Sequence, residues 1–276
     1  MRVTMLERSD LTVRFIIEGI SAPLANTLRR IILSEVPTMA IDDVIIYENS
    51  SVLHDEMLAL RLGLIPLKTD LDSYNLPEKC NCKSDLGCPL CRAILTLDVK
   101  ADEGTRTIYS GDLIPDNPNV APISDRIPIV KLAAGQRIRL EAYAKLGRGK
   151  VHAKWQPVSA CTYRYKPIVR IDYSRCNACG KCVEICPRKV FVKEGEKIMI
   201  AKEMECTLCA DCVRVCEIKP PPIQISWDDS TFIFYVESVG SLSVERIIFE
   251  ALKIYEEKFS EFMNLLEGLL NERKEA

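Results

Sequence analysis

The segment Leu11-Thr-Val-Arg-Phe-Ile-Ile-Glu18 decides the first element of the fold, and the residues that follow it decide the second. Apolar and polar residues alternate over 11–17, which is the period-two pattern of a strand with one buried face. A helical pattern then begins near Ser21 and ends before Pro37. The sequence therefore predicts a strand followed by an amphipathic helix whose apolar stripe is Leu24, Leu28, Ile31 and Ile32.

The middle of the chain alternates short apolar runs with turn residues, a pattern typical of a β-rich region. One exception is the segment 54–62, whose apolar spacing predicts a short helix ended by Gly63. The predicted strands are 39–47, 93–99, 106–110, 127–132, 137–143 and 158–165.

The C-terminal part of the chain predicts one covered strand and one long helix. Residues 231–237 are apolar on both faces, as expected of a central strand. About 27 helical residues, from 243 to 270, give a rod of ~40 Å. Because a small domain cannot cover so long a stripe, we expect part of it to meet another helix, in this chain or another. The alternative is a helix packed wholly on its own sheet. The stripe consists of Val244, Ile248, Ala251, Tyr255, Phe259, Phe262, Leu266 and Leu269.

Charge and composition exclude several classes of protein. The 37 basic and 39 acidic side chains leave a net charge of −2, which does not suit binding of DNA or an anionic membrane through overall charge. Apolar runs such as 15–17 and 31–33 are three residues long, and charged residues occupy the N-terminus. We therefore expect no membrane span, no signal peptide and a cytoplasmic location.

Thirteen cysteines are unusual in a chain of 276 residues. Four of them lie between 80 and 91, eight lie between 176 and 216 in two similar halves, and Cys161 stands alone in an apolar strand. Regular C-x-x-C spacing favours metal ligands over a disulfide framework. Disulfides remain the alternative, because intracellular proteins of hyperthermophiles do contain them. Cys161 is most simply a core residue.

The later eight cysteines have the spacing of a two-cluster bacterial ferredoxin. Residues 176–187 read Cys-Asn-Ala-Cys-Gly-Lys-Cys-Val-Glu-Ile-Cys-Pro, and residues 206–216 repeat the pattern. In such a repeat three cysteines bind one [4Fe–4S] cluster and the fourth binds the cluster of the other half. We therefore expect one cluster on Cys176, Cys179, Cys182 and Cys216, and the other on Cys206, Cys209, Cys212 and Cys186.

Two alternatives stay open for this region. Glu217 stands where a proline normally follows the last cysteine, so the Cys216 corner is the less regular one and [3Fe–4S] is an alternative there. Zinc is the other metal that paired C-x-x-C motifs bind, although it does not explain four cysteines in each half.

The earlier four cysteines, Cys80, Cys82, Cys88 and Cys91, lie on a short loop that contains Gly87 and Pro89. Four soft ligands with no open position describe a structural Zn²⁺ site. A disulfide pair or an empty loop is the alternative.

The rest of the chain offers little for catalysis. It contains two histidines and no P-loop, G-x-S-x-G or G-x-G-x-x-G motif. The acidic pairs 42–43 and 228–229 lie beside strands, where neighbouring side chains point to opposite faces, so neither suggests a magnesium site. Lys145, Arg148, Lys150 and Lys154 lie near Trp155 and can contact a nucleic-acid backbone, but a solvated loop or a protein contact is favoured.

Two long motifs resemble one protein family. They are residues 26–42, which begin Asn-Thr-Leu-Arg-Arg-Ile-Ile-Leu, and residues 53–67, which end Leu-Arg-Leu-Gly-Leu-Ile-Pro-Leu. Both look like the alpha-like D subunit of archaeal DNA-directed RNA polymerase, a family similar to the third subunit of eukaryotic polymerase II and to the N-terminal domain of the bacterial alpha subunit. The segment 152–158 is also similar, and a ferredoxin-like insertion occurs in many archaeal members.

The resemblance implies an α+β fold and an arrangement of domains. It implies a discontinuous alpha-like dimerisation domain over 1–47 and 226–276, a β-rich insert domain over 48–166, and an inserted two-cluster ferredoxin-like domain over 167–225. Helices matching residues 21–35 and 243–270 pair with the small subunit L in that family. Further partners are the second-largest subunit and the small subunits N and P. The Cys80 to Cys91 loop matches the zinc loop of the eukaryotic relative, although several archaeal members lack it.

The resemblance implies an assembly subunit without catalytic residues, acting within a nucleotidyltransferase and meeting DNA only through the complex. A two-cluster electron-transfer protein is the alternative, because eight ferredoxin-like cysteines alone suggest one. The chain offers no flavin, haem or nicotinamide motif through which electrons would continue.

Overall fold

A computed structural model of the chain describes residues 1–82, 84 and 86–275, with 271–275 described by their backbone alone. The chain forms two compact units. The first comprises residues 1–7, 14–26 and 162–234, and the second comprises residues 8–13, 27–161 and those from 235 onward.

The elements follow one another along the chain as strands interrupted by a few helices. The N-terminal half contains β1 (Arg2–Arg8), β2 (Thr12–Glu18), α1 (Ala22–Ser34), β3 (Pro37–Asn49), α2 (Asp55–Gly63), β4 (Arg92–Lys100), β5 (Arg106–Tyr109), β6 (Ile114–Pro115), β7 (Pro128–Leu132) and β8 (Arg137–Arg148). The C-terminal half contains β9 (Val158–Ile171), α3 (Lys181–Ile185), β10 (Phe191–Glu194), β11 (Lys197–Ile200), α4 (Asp211–Arg214), β12 (Ile223–Ser238) and α5 (Val244–Glu275).

A four-stranded sheet of order β1-β2-β12-β9 has most of its residues in the first unit. β12 lies inside this sheet, and Thr231, Phe232, Ile233 and Phe234 are all buried, as the apolar pattern of 231–237 predicts. Phe15 of β2 stacks on Phe234 with ring centres 5.3 Å apart. The cysteine-rich segment of this unit has its own small core, in which cysteines pack with apolar residues beside the β10-β11 hairpin.

A second four-stranded sheet, of order β3-β8-β4-β6, forms the centre of the second unit. β4 and β8 are antiparallel, and their register places Leu97 opposite Leu140 and Leu95 opposite Ala142. These residues are fully or almost fully buried, which puts one face of the sheet into the core. Leu58 and Leu62 of α2 are buried in the same core.

The predicted mixed α and β composition is confirmed, with every long predicted element present. The domain boundaries stay a prediction: β3 runs through residue 47, β9 through 166 and β12 through 225. Sequence reasoning missed β1, because all seven of its residues are exposed and their alternation marks no buried face. Among the described residues, no helix is long and apolar enough to span a bilayer.

Candidate metal centres and subunit interface

The four cysteines of the 80–91 loop meet at one point. Their sulfur atoms all lie within 4.8 Å of one another, and the Cys80–Cys88 and Cys82–Cys91 sulfurs are 3.7 Å and 3.6 Å apart. Thiolates about 2.3 Å from a tetrahedral Zn²⁺ stand about 3.8 Å from one another, whereas a disulfide needs about 2 Å. The loop therefore brings the four predicted ligands into an arrangement that fits one tetrahedral ion.

Local backbone geometry closes this loop. The Cys88 N–H donates to the Cys91 sulfur at 3.1 Å, and Cys91 immediately precedes β4. Gly87 has a φ of +84°, and a Cβ added there would lie 3.0 Å from the same sulfur. Only glycine combines that backbone conformation with so close an approach. The turn before the loop is attached to β8 by an ion pair between Glu78 and Arg148.

The pKa values of the thiols in this loop indicate that several thiolates form together only around a bound cation. Burial raises the pKa of the Cys91 thiol to about 12, whereas hydrogen bonds from Cys80 and Cys91 lower the pKa of Cys82 to about 7. Neighbouring S–H groups thus stabilise one thiolate at a time. Four thiolates together require a positive ion between them.

The eight later cysteines line two concave spaces in the first unit. One space is lined by Cys176, Cys179, Cys182 and Cys216 together with Ile198, Ile218 and Ile223. The other is lined by Cys186, Cys206, Cys209 and Cys212 together with Val190 and Phe191. Cys212 borders both spaces, and Cys179 and Cys209 are each solvent-exposed. Each predicted set of four cysteines lines one of the spaces, with Cys212 of the second set also beside the first, and the ligand assignment stays a prediction.

The two halves of this segment share an unusual backbone. Ala178 and Leu208 occupy the same position in their C-x-x-C motifs, and both have positive φ, 53° and 61°. Gly180 and Ala210, each before the third cysteine of its half, also have positive φ, 89° and 59°. Residues other than glycine rarely adopt positive φ, and residues that do are concentrated at functional sites. The repeated conformation turns both loops around a space.

Three buried thiols around these spaces have a raised pKa. Burial raises the pKa of Cys182 and of Cys206, and burial together with neighbouring thiols raises the pKa of Cys212 to about 11. In the described part of the chain, the only group of three or more potential ligand atoms within 4.8 Å of one another is that of Cys80, Cys82, Cys88 and Cys91. Wider spacing suits a cluster better than a single ion, because each ligand then binds a different iron atom.

A third feature is the exposed surface of α5. Val244, Ile247 and Ala251 are buried, but the helix continues to Glu275, and its later apolar side chains face solvent. The exposed side chains are Phe249, Leu252, Phe259, Phe262, Met263, Leu265, Leu266, Leu269 and Leu270. So large an apolar surface on a folded chain marks a protein interface. We refer to residues 255–270 as the exposed stripe.

Other candidates from the sequence take part in contacts within the chain. Lys145 and Lys154 form ion pairs with Asp42, and Lys154 also lies over the ring of Trp155. Arg148 binds Glu78, and Lys150 binds Glu35 at 3.2 Å. The basic segment is therefore neutralised within the chain, which does not favour nucleic-acid binding. Cys161 is buried, as expected of a core residue.

Comparison with known proteins connects these features. The sequence matches the RNA polymerase Rpb3/Rpb11 dimerisation domain over residues 14–259. The chain belongs to this family. The match extends from β2 into the exposed stripe of α5, so it includes elements of both compact units.

Relatives of similar length carry the same kind of name. The DNA-directed RNA polymerase subunit Rpo3 of Methanosphaera stadtmanae is 41% identical over 268 residues, which are 96% of this chain and 98% of that protein. The Rpo3 subunit of Archaeoglobus fulgidus is 42% identical over 267 residues, 97% of this chain and 98% of that one. The Rpo3 subunit of Pyrobaculum aerophilum is 43% identical over 262 residues, 95% and 94% of the two chains. The predicted membership of an RNA polymerase subunit family is confirmed.

Proposed function

We propose that this chain is a non-catalytic assembly subunit of DNA-directed RNA polymerase. The observation that carries the proposal is the family match over residues 14–259, together with relatives that are polymerase subunits over nearly their whole length. Those relatives favour assembly over the electron-transfer alternative. Nucleotidyl transfer then belongs to other chains of the complex, and this chain meets DNA only through them.

The partner of the exposed stripe is proposed to be subunit L. A surface that repeats apolar residues by threes and fours suits a second helix packed along it, as in a coiled coil. The second-largest subunit and the small subunits N and P are proposed to bind elsewhere on the same chain. Such interfaces keep the protein within the polymerase and therefore within the cytoplasm.

We propose a structural Zn²⁺ on Cys80, Cys82, Cys88 and Cys91. The sulfur separations near 3.7 Å and the glycine that admits Cys91 support this assignment. A closed four-thiolate site contributes folding energy and leaves no position for a substrate.

We propose that the two spaces lined by the other cysteines hold [4Fe–4S] clusters, with [3Fe–4S] as the alternative at the Cys216 corner. Cys176, Cys179, Cys182 and Cys216 hold one, and Cys206, Cys209, Cys212 and Cys186 hold the other. When bound, such clusters cross-link short segments and carry single electrons. The cysteine-rich segment is short and has a small core, so we assign its clusters a mainly structural role.

Two measurements test these assignments. Purification of the untagged polymerase from the source cells should bring this chain with it, and its absence from the active complex would refute the assembly role. Metal analysis of chain prepared without oxygen should give about eight irons and about one zinc. Four irons or fewer would exclude two cubane clusters. A lack of zinc would refute the zinc assignment and favour a disulfide pair or an empty loop at 80–91.

A further inference from the structure

The two cysteine loops of the first unit are attached in different ways. The loop 206–212 follows a short turn, Glu203–Glu205. Strands of the β1-β2-β12-β9 sheet bind this turn. Arg14 of β2 donates to the Glu205 carboxylate at 2.8 Å. The Val169 N–H of β9 donates to the Glu203 carboxylate at the same distance.

Arg164 of β9 makes the most direct contact with this loop. Its guanidinium donates to the backbone carbonyl oxygens of Met204 and Cys206, the second at 3.0 Å. The Arg164 side chain is half-buried, so its guanidinium is partly withdrawn from solvent where it meets the loop. A partly buried positive charge therefore acts on a predicted cluster ligand and on the backbone that carries it.

The loop 176–182 is held by bonds to residues that lie outside the strands of the sheet. The Cys176 N–H donates to the Asp172 carbonyl at 3.1 Å, and the Cys179 N–H donates to the Asn177 side chain at 3.3 Å. Arg175 donates to the Pro220 carbonyl, which lies in the same cysteine-rich segment. These contacts fix the shape of the loop, whereas Arg164 connects the other loop to the sheet.

We propose that Arg164 is the positioning residue of the 206–212 loop and makes the two clusters unequal. This inference rests on the proposed clusters. The positive charge of Arg164 favours the negative charge of a thiolate-bound cluster, and its two hydrogen bonds hold the Cys206 backbone in place. The cluster on Cys206, Cys209, Cys212 and Cys186 is therefore retained more strongly, and reduced more easily, than it would be without Arg164.

The test uses the full chain, prepared without oxygen, in two single-cluster backgrounds. Cys179→Ser leaves the cluster of the 206–212 loop, and Cys209→Ser leaves the cluster of the 176–182 loop. Into each background we place Arg164→Met, Arg164→Lys and, as a matched control, Arg175→Met. The readouts are the rate of iron release to a chelator and the midpoint potential from a redox titration followed by electron paramagnetic resonance.

Arg164→Met in the Cys179→Ser background should release iron about tenfold faster, as expected when a charge-assisted hydrogen bond is lost. Its potential should also fall, because removal of a nearby positive charge favours the oxidised cluster. Arg164→Lys should restore most of the potential, and Arg175→Met should leave both readouts of this cluster unchanged. In the Cys209→Ser background Arg164→Met should change neither readout.

Equal acceleration in both backgrounds would show a general loss of folding and overturn the proposal, as would an unchanged potential in the Cys179→Ser background. A chain that binds no iron in either background would overturn it together with the cluster assignment. Copurification with the polymerase would still stand in that case, so the two failures are distinguishable.

Discussion

The Lys258 ammonium of α5 lies 3.0 Å from the Glu35 carboxylate, which also binds Lys150 at 3.2 Å. The Glu35 side chain is 15% exposed, so it sits mostly out of water between two cations. Lys258 precedes the exposed Phe259 and Phe262 on the same helix. The bridge therefore fixes α5 at the point where its apolar surface turns to solvent.

Glu35→Gln should destabilise the folded chain at neutral pH. Burial tends to raise the pKa of Glu35, but hydrogen bonds from Lys258 and Lys150 hold it below the ordinary value of 4.5. Because the pKa of Glu35 is lower in the folded chain, its ionised form stabilises the fold at pH values above the unfolded-state pKa. This stabilisation is lost as the pH falls through the folded-state pKa. Because Lys258 is half-exposed and screened by solvent, we expect a loss of about 1 kcal/mol.

Urea unfolding at pH 7 and below pH 4 tests this expectation. The difference between Glu35→Gln and the native chain should be present at pH 7 and shrink on acidification. Glu257→Gln, an exposed position on the same helix, is the control and should show little effect at either pH. A difference that grows toward low pH would contradict the assigned role of Glu35.

Gly87→Ala should weaken metal binding by the Cys80 to Cys91 loop. The new Cβ would lie 3.0 Å from the Cys91 sulfur, and alanine does not favour a φ of +84°. Gly135→Ala is a matched control, because Gly135 has a φ of +81° with nothing within 4 Å of an added Cβ. Zinc retained after chelator competition should fall for Gly87→Ala alone. Equal zinc retention by the two variants would contradict the site.

Gly147→Ala should strongly destabilise the second unit. An added Cβ at this position of β8 would lie 2.3 Å from the ring of Trp155, whose indole N–H donates to the Lys145 carbonyl at 3.1 Å. Overpacking of this kind costs roughly 2–3 kcal/mol. Gly268→Ala, which adds a methyl group to open space on α5, should stabilise its helix by up to about 1 kcal/mol. Thermal unfolding that ranks the two variants in the opposite order would refute this packing.

Local sequence patterns predicted most of the elements, and the four cysteines of the 80–91 loop do come together. β4 was predictable from its sequence, because a strand with one covered face repeats its apolar residues every two positions. Its buried residues are Ala93, Leu95, Leu97 and Val99. The two sets of four cysteines assigned to clusters follow from the ferredoxin-like spacing, and that assignment stays a prediction.

The contacts that hold these parts together were not predictable. Glu35 and Lys258 are 223 residues apart, and Arg14 and Glu205 are 191 apart. Each is one charged residue among many, and no periodicity marks its partner. The extent of α5 was also underestimated: its apolar spacing predicts an end near 270, whereas the helix continues to Glu275 through a charged segment with no stop signal.

We expect α5 to pair with another polymerase subunit through its exposed stripe. Phe259 and Phe262, 53% and 61% exposed, lie on that stripe, and Ser260 and Asn264 lie on the opposite, polar side of the same helix. Phe259→Asp with Phe262→Asp would put two unpaired carboxylates into the interface, each costing on the order of several kcal/mol of desolvation. The control variant, Ser260→Asp with Asn264→Asp, adds the same charge to the helix outside the interface.

The direct test is the molar mass, by light scattering, of each variant coexpressed with subunit L, with circular dichroism to establish that each is folded. We expect a heterodimer for the native chain and for the Ser260→Asp, Asn264→Asp variant, and an unpaired chain for the Phe259→Asp, Phe262→Asp variant. A folded Phe259→Asp, Phe262→Asp variant that still elutes at the heterodimer mass would contradict this expectation.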